Sequence, residues 1–198
     1  MSIDISALGS LQPVQPLDLS IIPEVPKKEF TFPRAGRFIV RVPEAITEEN
    51  FTPTAKGVLQ ARVDPTITGP SNEGYEIRYT RVSATVYTDP RTSLETSQVA
   101  QYLQAFGINE ELTGEPQQAA NLIASTAGQE AEVYADWVAE HRPSGYKLSG
   151  MKNFPSDGNG GFQSWIEHPD ASVTDAKGDR LRLRANFVVK RWLPKRAS

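Results

Sequence analysis

The sequence predicts an α+β protein that is mainly β. Several segments alternate apolar and polar residues with a period of two, which is typical of strands with one buried face. Helical patterns are confined to the middle of the chain, with strands before and after them, so a parallel α/β sheet is excluded. About five strands, one of them bulged, fit a small Greek-key barrel of the OB type or an open sandwich.

The chain divides into an arm and one domain. Residues 1–33 contain too many prolines for a helix or a central strand, namely Pro13, Pro16, Pro23, Pro26 and Pro33. Apolar residues stand between these prolines. We interpret residues 1–33 as an extended arm that docks on its own domain or on a neighbour, which would give a homo-oligomer; a flexible tail is the alternative. Residues 34–198 form a single β-rich domain with a helical insertion at about 96–128.

Three strands are predicted before the insertion. Residues 36–42 alternate with Phe38, Val40 and Val42 inward, and residues 57–63 alternate with Leu59, Ala61 and Val63 inward. A turn-rich stretch, 64–74, leads to a long strand over 75–87. Its pattern changes phase, so we expect a one-residue bulge near Thr80 or Arg81 that keeps both apolar sets inward.

The insertion is predicted to hold two helices. Ser97 can cap the first, which ends at Gly107, and Pro116 can open the second, which ends at Gly128. Residues 131–139 then read as a strand with Val133, Ala135 and Trp137 inward. A long loop over 141–161 and a short strand over 162–166 follow.

The last strand, residues 181–192, carries the strongest pattern. Leu181, Leu183, Ala185, Phe187 and Val189 share one face. The other face is a cationic stripe ending in an aromatic residue: Arg182, Arg184, Asn186, Lys190 and Trp192. Such a face suits the phosphates and bases of a single-stranded nucleic acid, although a merely solvated face is the alternative.

Charge is distributed unevenly along the chain. Nine acidic residues and one basic residue lie between Asp89 and Glu140, whereas seven basic and no acidic residues follow from Arg180 onward. A basic segment favours a polyanionic partner, unless the two segments neutralise each other. No apolar run is long enough to span a membrane and no signal-peptide pattern opens the chain, so we expect no membrane partner and a cytoplasmic location.

Catalytic patterns are missing from the sequence. There is no cysteine and there are two histidines, His141 and His168, which we interpret as solvated loop residues outside any metal-binding spacing. Phosphate-binding loops and nucleophile elbows are absent. We therefore expect no enzyme activity, no catalytic residue, no metal and no cofactor.

Exposed bases and aromatics on or beside strands are the candidate binding residues. Rings interleaved with bases in a glycine-rich loop after Trp137 resemble a clamp over a nucleic-acid strand; Phe154 and Trp165 could instead be core under that loop. The candidates are Arg37, Arg41, Arg62, Arg78, Tyr79, Tyr146, Lys147, Lys152, Phe154, Trp165, Arg182, Arg184, Lys190 and Trp192.

The order of parts resembles the phage-encoded OB-fold single-stranded DNA-binding proteins. The similar parts are Lys56-Gly57-Val58-Leu59, residues 75–87, Tyr102-Leu103 with Phe106-Gly107, residues 132–138, and Asn186-Phe187-Val188-Val189. This resemblance of layout covers about residues 36–194. It implies sequence-tolerant binding of single-stranded DNA in phage replication or recombination, in the host cytoplasm. The chain departs from many such proteins because its end is basic, not acidic.

A phage virion protein is the competing hypothesis. A proline-rich apolar arm on a compact β domain also describes proteins whose arms lie across neighbouring subunits by strand addition. The acidic middle of the chain would then face a basic neighbour.

Overall fold

The computed structural model describes residues 32–55, 57–84, 98–158 and 161–195, and these residues are mainly β, as predicted. Apart from Phe32 and Pro33, the predicted arm lies outside the described residues, as do Lys56 and Ser97. The strands are β1 Gly36–Arg41, β2 Phe51–Pro53, β3 Leu59–Arg62, β4 Thr66–Ile67, β5 Arg81–Ser83, β6 Glu130–His141, β7 Tyr146–Ser149, β8 Trp165–Glu167, β9 Arg182–Arg184 and β10 Asn186–Trp192. The helices are α1 Gln98–Ala105 and α2 Pro116–Ala124.

Strand β6 is the centre of the largest sheet. The sheet has the order β10-β6-β1-β4, all antiparallel, and it curls into a half-barrel. Ala135 pairs with both Gly36 and Val189, and Val138 pairs with both Ser149 and Asn186. Strands β1 and β7 therefore follow each other along one edge of β6, and β10 occupies the opposite edge.

Two smaller sheets and the helices complete the domain. Strands β2, β3 and β5 form one sheet, and β8 and β9 form a hairpin. Gln98 at the start of α1 covers the outer edge of β5, because its side-chain amide accepts the Ser83 N–H and donates to the Arg81 carbonyl. Neither α1 nor α2 is long and apolar enough to cross a membrane.

Trp137 joins the aromatic side chains of the core. Its ring lies 5.2 Å from that of Phe187, 4.8 Å from that of Phe162 and 5.5 Å from that of Phe32, measured between centroids. The indole N–H donates to the Pro33 carbonyl at 2.9 Å, so the buried polar atom of the ring is satisfied. This bond and the Phe32 contact fix the first described residues on the domain.

Most predicted strand faces and both helices are confirmed. Val40, Ala61, Val63, Val133, Ala135 and Trp137 are all buried. Gly107 and Gly128 both adopt the left-handed backbone that glycine tolerates, after helices with the buried faces expected from the apolar spacing. Strand β6 extends beyond the predicted 131–139 at both ends.

The predicted long strand over 75–87 is wrong. The chain turns at Arg78–Tyr79, and Tyr79 has a left-handed backbone with φ of 63°. The turn does keep Ile77, Val82 and Ala84 inward, but it turns Tyr79 outward, so that its side chain is 62% exposed. Thr66 and Ile67, predicted to lie in a turn, form β4 instead, and residues 85–87 lie outside the described residues.

The predicted loop over 141–161 also contains a strand. Tyr146–Ser149 pairs with the end of β6 as β7. The turn between them, Arg142–Ser144, ends at Gly145, whose left-handed backbone reverses the chain, and Gly150 ends the strand in the same region of φ.

The basic C-terminal strand is divided, and its last aromatic residue points inward. Ala185 separates β9 from β10, and a bulge between Val189 and Arg191 changes the phase of the alternation. The outward orientation predicted for Trp192 is therefore wrong. Its side chain is 6% exposed and packs 4.7 Å from the ring of Tyr102.

Truncation of Trp192 should destabilise the protein much more than truncation of Trp165. Trp192→Ala removes a buried ring and should lower the free energy of unfolding by about 3–5 kcal/mol. Trp165→Ala is the matched control, because 54% of that side chain is exposed, and it should cost no more than about 1 kcal/mol. Urea unfolding followed by circular dichroism measures both. Equal costs for the two variants would contradict the packing described for Trp192.

Candidate nucleic-acid interface

The β8–β9 hairpin has one buried apolar face and one exposed face. Ile166 pairs with Leu183, and both side chains are buried. The adjacent positions alternate to the other face, which places Trp165 opposite Arg184 and Glu167 opposite Arg182. The sequence thus buries every second residue of the hairpin and leaves an aromatic ring, two guanidinium groups and a carboxylate exposed.

Trp165 and Arg184 form the most exposed aromatic–cation pair of this face. The guanidinium carbon of Arg184 lies 5.9 Å from the centroid of the Trp165 ring, within the range of a cation–π interaction. More than half of the tryptophan side chain nevertheless remains exposed. A planar apolar surface is thus available beside a fixed positive charge.

An open cleft lies beside this pair, between β8 and β7. We name it the Trp165 cleft. Its volume is about 550 Å³, within the range of ordinary ligand sites. Its lining includes Tyr146, Leu148, Gln163, Trp165, Glu167 and Arg182. The structure therefore brings together three residues that the sequence nominated from separate segments, namely Tyr146, Trp165 and Arg182.

Glu167 holds the arginines beside the cleft in ion pairs. It lies 3.3 Å from Arg180 and 4.0 Å from Arg182, and all three side chains are substantially exposed. Exposed ion pairs of this kind contribute only about 0–1 kcal/mol. An incoming phosphate can therefore replace the carboxylate as the partner of Arg182 at little cost. Sequence reasoning missed Glu167, although its position two residues after Trp165 already placed both on one face.

A buried histidine fixes one end of the cleft, which corrects the interpretation of His168 as a solvated residue. His168 is 3% exposed. Its Nε2 is hydrogen-bonded to the Ser144 hydroxyl at 2.8 Å, and the same hydroxyl lies 2.8 Å from Nδ1 of His141. The Tyr146 ring packs 5.0 Å from that of His168. Ser144 thereby ties the β6–β7 turn to the end of β8.

The bases of β1 and β7 are paired with the acids of β6. Arg37 lies 3.5 Å from Glu132 and Arg41 lies 2.9 Å from Glu130. Glu140 forms ion pairs with both Arg142, at 3.0 Å, and Lys147, at 3.8 Å. Three acids of β6 are therefore paired with nearby bases, while the only ion pairs that the described residues give Arg180 and Arg182 are those with Glu167.

Three further candidates lie outside the Trp165 cleft. Arg62 is paired with Asp64, and Arg78 lies 2.8 Å from Glu76. Tyr79, beside Arg78, is exposed but does not line this cleft. The structure does not bring these residues to the cleft.

Three candidates are buried or held by other contacts. Phe154, nominated for binding, is buried and packs 5.4 Å from Phe162, so its nomination as a binding ring is corrected to core. Trp192 is core as well. Lys190 is partly buried and donates to the Ser149 hydroxyl at 2.7 Å, and its burial lowers the pKa of its ammonium group.

Comparisons with known proteins add no assignment. No family model, curated protein or solved structure matches the chain. Within residues 32–55, 57–84, 98–158 and 161–195, no three acidic or histidine side chains converge as they would around a metal ion.

Proposed function

We propose that this protein binds single-stranded DNA with little sequence preference, at the Trp165 cleft. The observation that carries the proposal is the exposed Trp165 ring beside Arg184, at the mouth of an open cleft that Arg182 and Tyr146 also line. Single-strand binding needs rings for bases and cations for phosphates, and it needs them close together.

The arrangement supports binding that tolerates any base. The flat face of Trp165 can stack on any nucleobase, because every base offers a π surface. Arg182 and Arg184 extend from the same face of the hairpin and can contact the phosphates on either side of that base. When a phosphate replaces Glu167 as the partner of Arg182, no charge is left buried without a partner, because the carboxylate of Glu167 is exposed to water.

The cellular setting of this activity follows from the resemblance stated for the sequence. We propose a role in phage DNA replication or recombination, in the host cytoplasm, with an OB-type barrel as the binding scaffold. The curled half-barrel sheet is compatible with that scaffold. The proposal is of a binding protein and includes no catalytic step.

Trp165→Ala should weaken binding of oligo-dT at every salt concentration. Loss of one stacked base costs about 1–3 kcal/mol, or roughly 5- to 150-fold in Kd. Fluorescence anisotropy of a labelled oligonucleotide measures the change. Tyr79→Ala removes another exposed ring that does not line the cleft and should leave the Kd unchanged. An unchanged Kd for Trp165→Ala would overturn the site, and a loss confined to Tyr79→Ala would move it to the 75–79 turn.

Salt dependence tests the arginines of the hairpin. For single strands, log K falls with log salt by about 0.7 for each phosphate contact, so the double variant R182A/R184A should reduce the slope by about 1.4. R41A/K177A is the matched control, because it removes two exposed bases that do not line the cleft. Equal slopes for the two double variants would show that only overall charge matters.

The virion hypothesis has one structural feature in its favour. Within the described residues, β7 pairs only with β6 and β8 pairs only with β9, so each strand leaves an edge open along the same cleft. An open edge can accept an extended chain by strand addition. The arm of a neighbouring copy, up to residue 31, is the segment that this second proposal would place there, since Phe32 and Pro33 pack on their own domain.

Deletion of residues 1–31 separates the two proposals. The deletion spares Phe32 and Pro33, which pack on the domain. We expect it to leave oligo-dT affinity unchanged, because the Trp165 cleft is built from residues after Gly145. Analytical ultracentrifugation reports the oligomeric state of the same sample. Loss of assembly in a protein that never bound DNA would favour the virion protein.

A further inference from the structure

A second cleft lies on the other side of the wall that bounds the Trp165 cleft. We name it the Lys152 cleft. Its volume is about 710 Å³, and its lining includes Arg34, Tyr134, Asp136, Met151, Lys152 and Ser156. It joins the start of β1, the middle of β6 and the turn after β7, and no sequence pattern predicted that these segments meet.

The wall between the clefts is a narrow antiparallel ribbon. Ser156 bridges Phe162, and the Gln163 N–H donates to the Pro155 carbonyl at 2.8 Å. Pro155 and Gln163 line the Trp165 cleft, whereas Ser156 and Phe162 line the Lys152 cleft. Successive residues of this ribbon thus face opposite clefts, and a ligand that crosses it enters both.

The Lys152 cleft repeats the chemistry of the first one. Arg34 and Lys152 are exposed, and no ion pair within the described residues engages either of them. Tyr134 presents a partly exposed ring between β1 and β10. The carboxylate of Asp136 also faces the cleft, but it is buried and its Oδ1 already accepts the N–H groups of Trp137 and Met151.

We infer that the Lys152 cleft is a second nucleotide subsite, which holds the continuation of the strand bound at the Trp165 cleft. Arg34 and Lys152 take phosphates of the flanking nucleotides, and the ring of Tyr134 takes a base. Within the described residues, the cleft has two cations without an ion pair beside a ring, and its one carboxylate, Asp136, is buried and already hydrogen-bonded. This combination suits the negative charges of a phosphodiester better than a peptide. This inference rests on the proposed function and adds the path of the strand.

Oligonucleotide length is the experimental variable that isolates this subsite. We would measure the Kd of oligo-dT of about 4 and about 12 nucleotides, which both lie within the roughly 4–16 nucleotides that one OB fold binds. The wild type should bind the longer oligonucleotide more tightly and with a steeper salt slope. R34A/K152A should reduce the slope for the longer one by about 1.4 and leave the shorter one unchanged.

Two controls make the outcomes distinguishable. R41A/K177A carries the same charge change outside both clefts and should keep the slope of the wild type; Trp165→Ala should weaken both lengths. If R34A/K152A binds the longer oligonucleotide with the wild-type slope, the second subsite is overturned while the proposed function stands. If the wild type binds neither length, the proposed function itself fails, and the inference fails with it.

Discussion

Pairing of β6 along both of its edges is the constraint on which the rest of the structure depends. One edge carries β10 and the other carries β1 and then β7, so a single strand positions the N-terminal, middle and C-terminal parts of the domain. Its inward face alternates small and large residues: Ala131, Val133, Ala135, Trp137 and Ala139. The alanines leave room beside Trp137 for the rings of Phe162 and Phe187, and close packing there fixes the curl of the sheet.

The same strand also determines which basic side chains are paired with acids. The outward carboxylates of β6 engage the arginines of β1 and the lysine of β7, so this face of the sheet is close to neutral. Among the described residues, Arg180 and Arg182 form ion pairs only with Glu167. Of the residues predicted for the cationic stripe, Arg182 and Arg184 are the exposed ones, whereas Lys190 is partly buried and Trp192 is buried.

Periodicity predicted the strands whose alternation keeps one phase. The strands β1, β3 and β6 are of this kind, and their buried faces agree with the alternation. In the last strand the apolar pattern shows no change of phase, so the bulge before Arg191 was not predicted and the orientation of Trp192 was inverted. Alternation does not reveal a left-handed non-glycine residue either, which is why Tyr79 broke the long strand. The hydrogen bond between Ser144 and His168 spans 24 residues, and no local pattern encodes it.

The exposed ring of Trp165 is not needed for the buried face of the hairpin. Ile166 and Leu183 already supply the buried face of β8 and β9, so the hairpin needs no ring on its outer side. A single exposed apolar residue is common on protein surfaces. Here, however, the ring stands beside a guanidinium group and opens on a cleft that a tyrosine, a glutamine and an arginine also line. The proposed single-strand site depends on this combination, because stacking needs a ring and phosphate contacts need cations close to it.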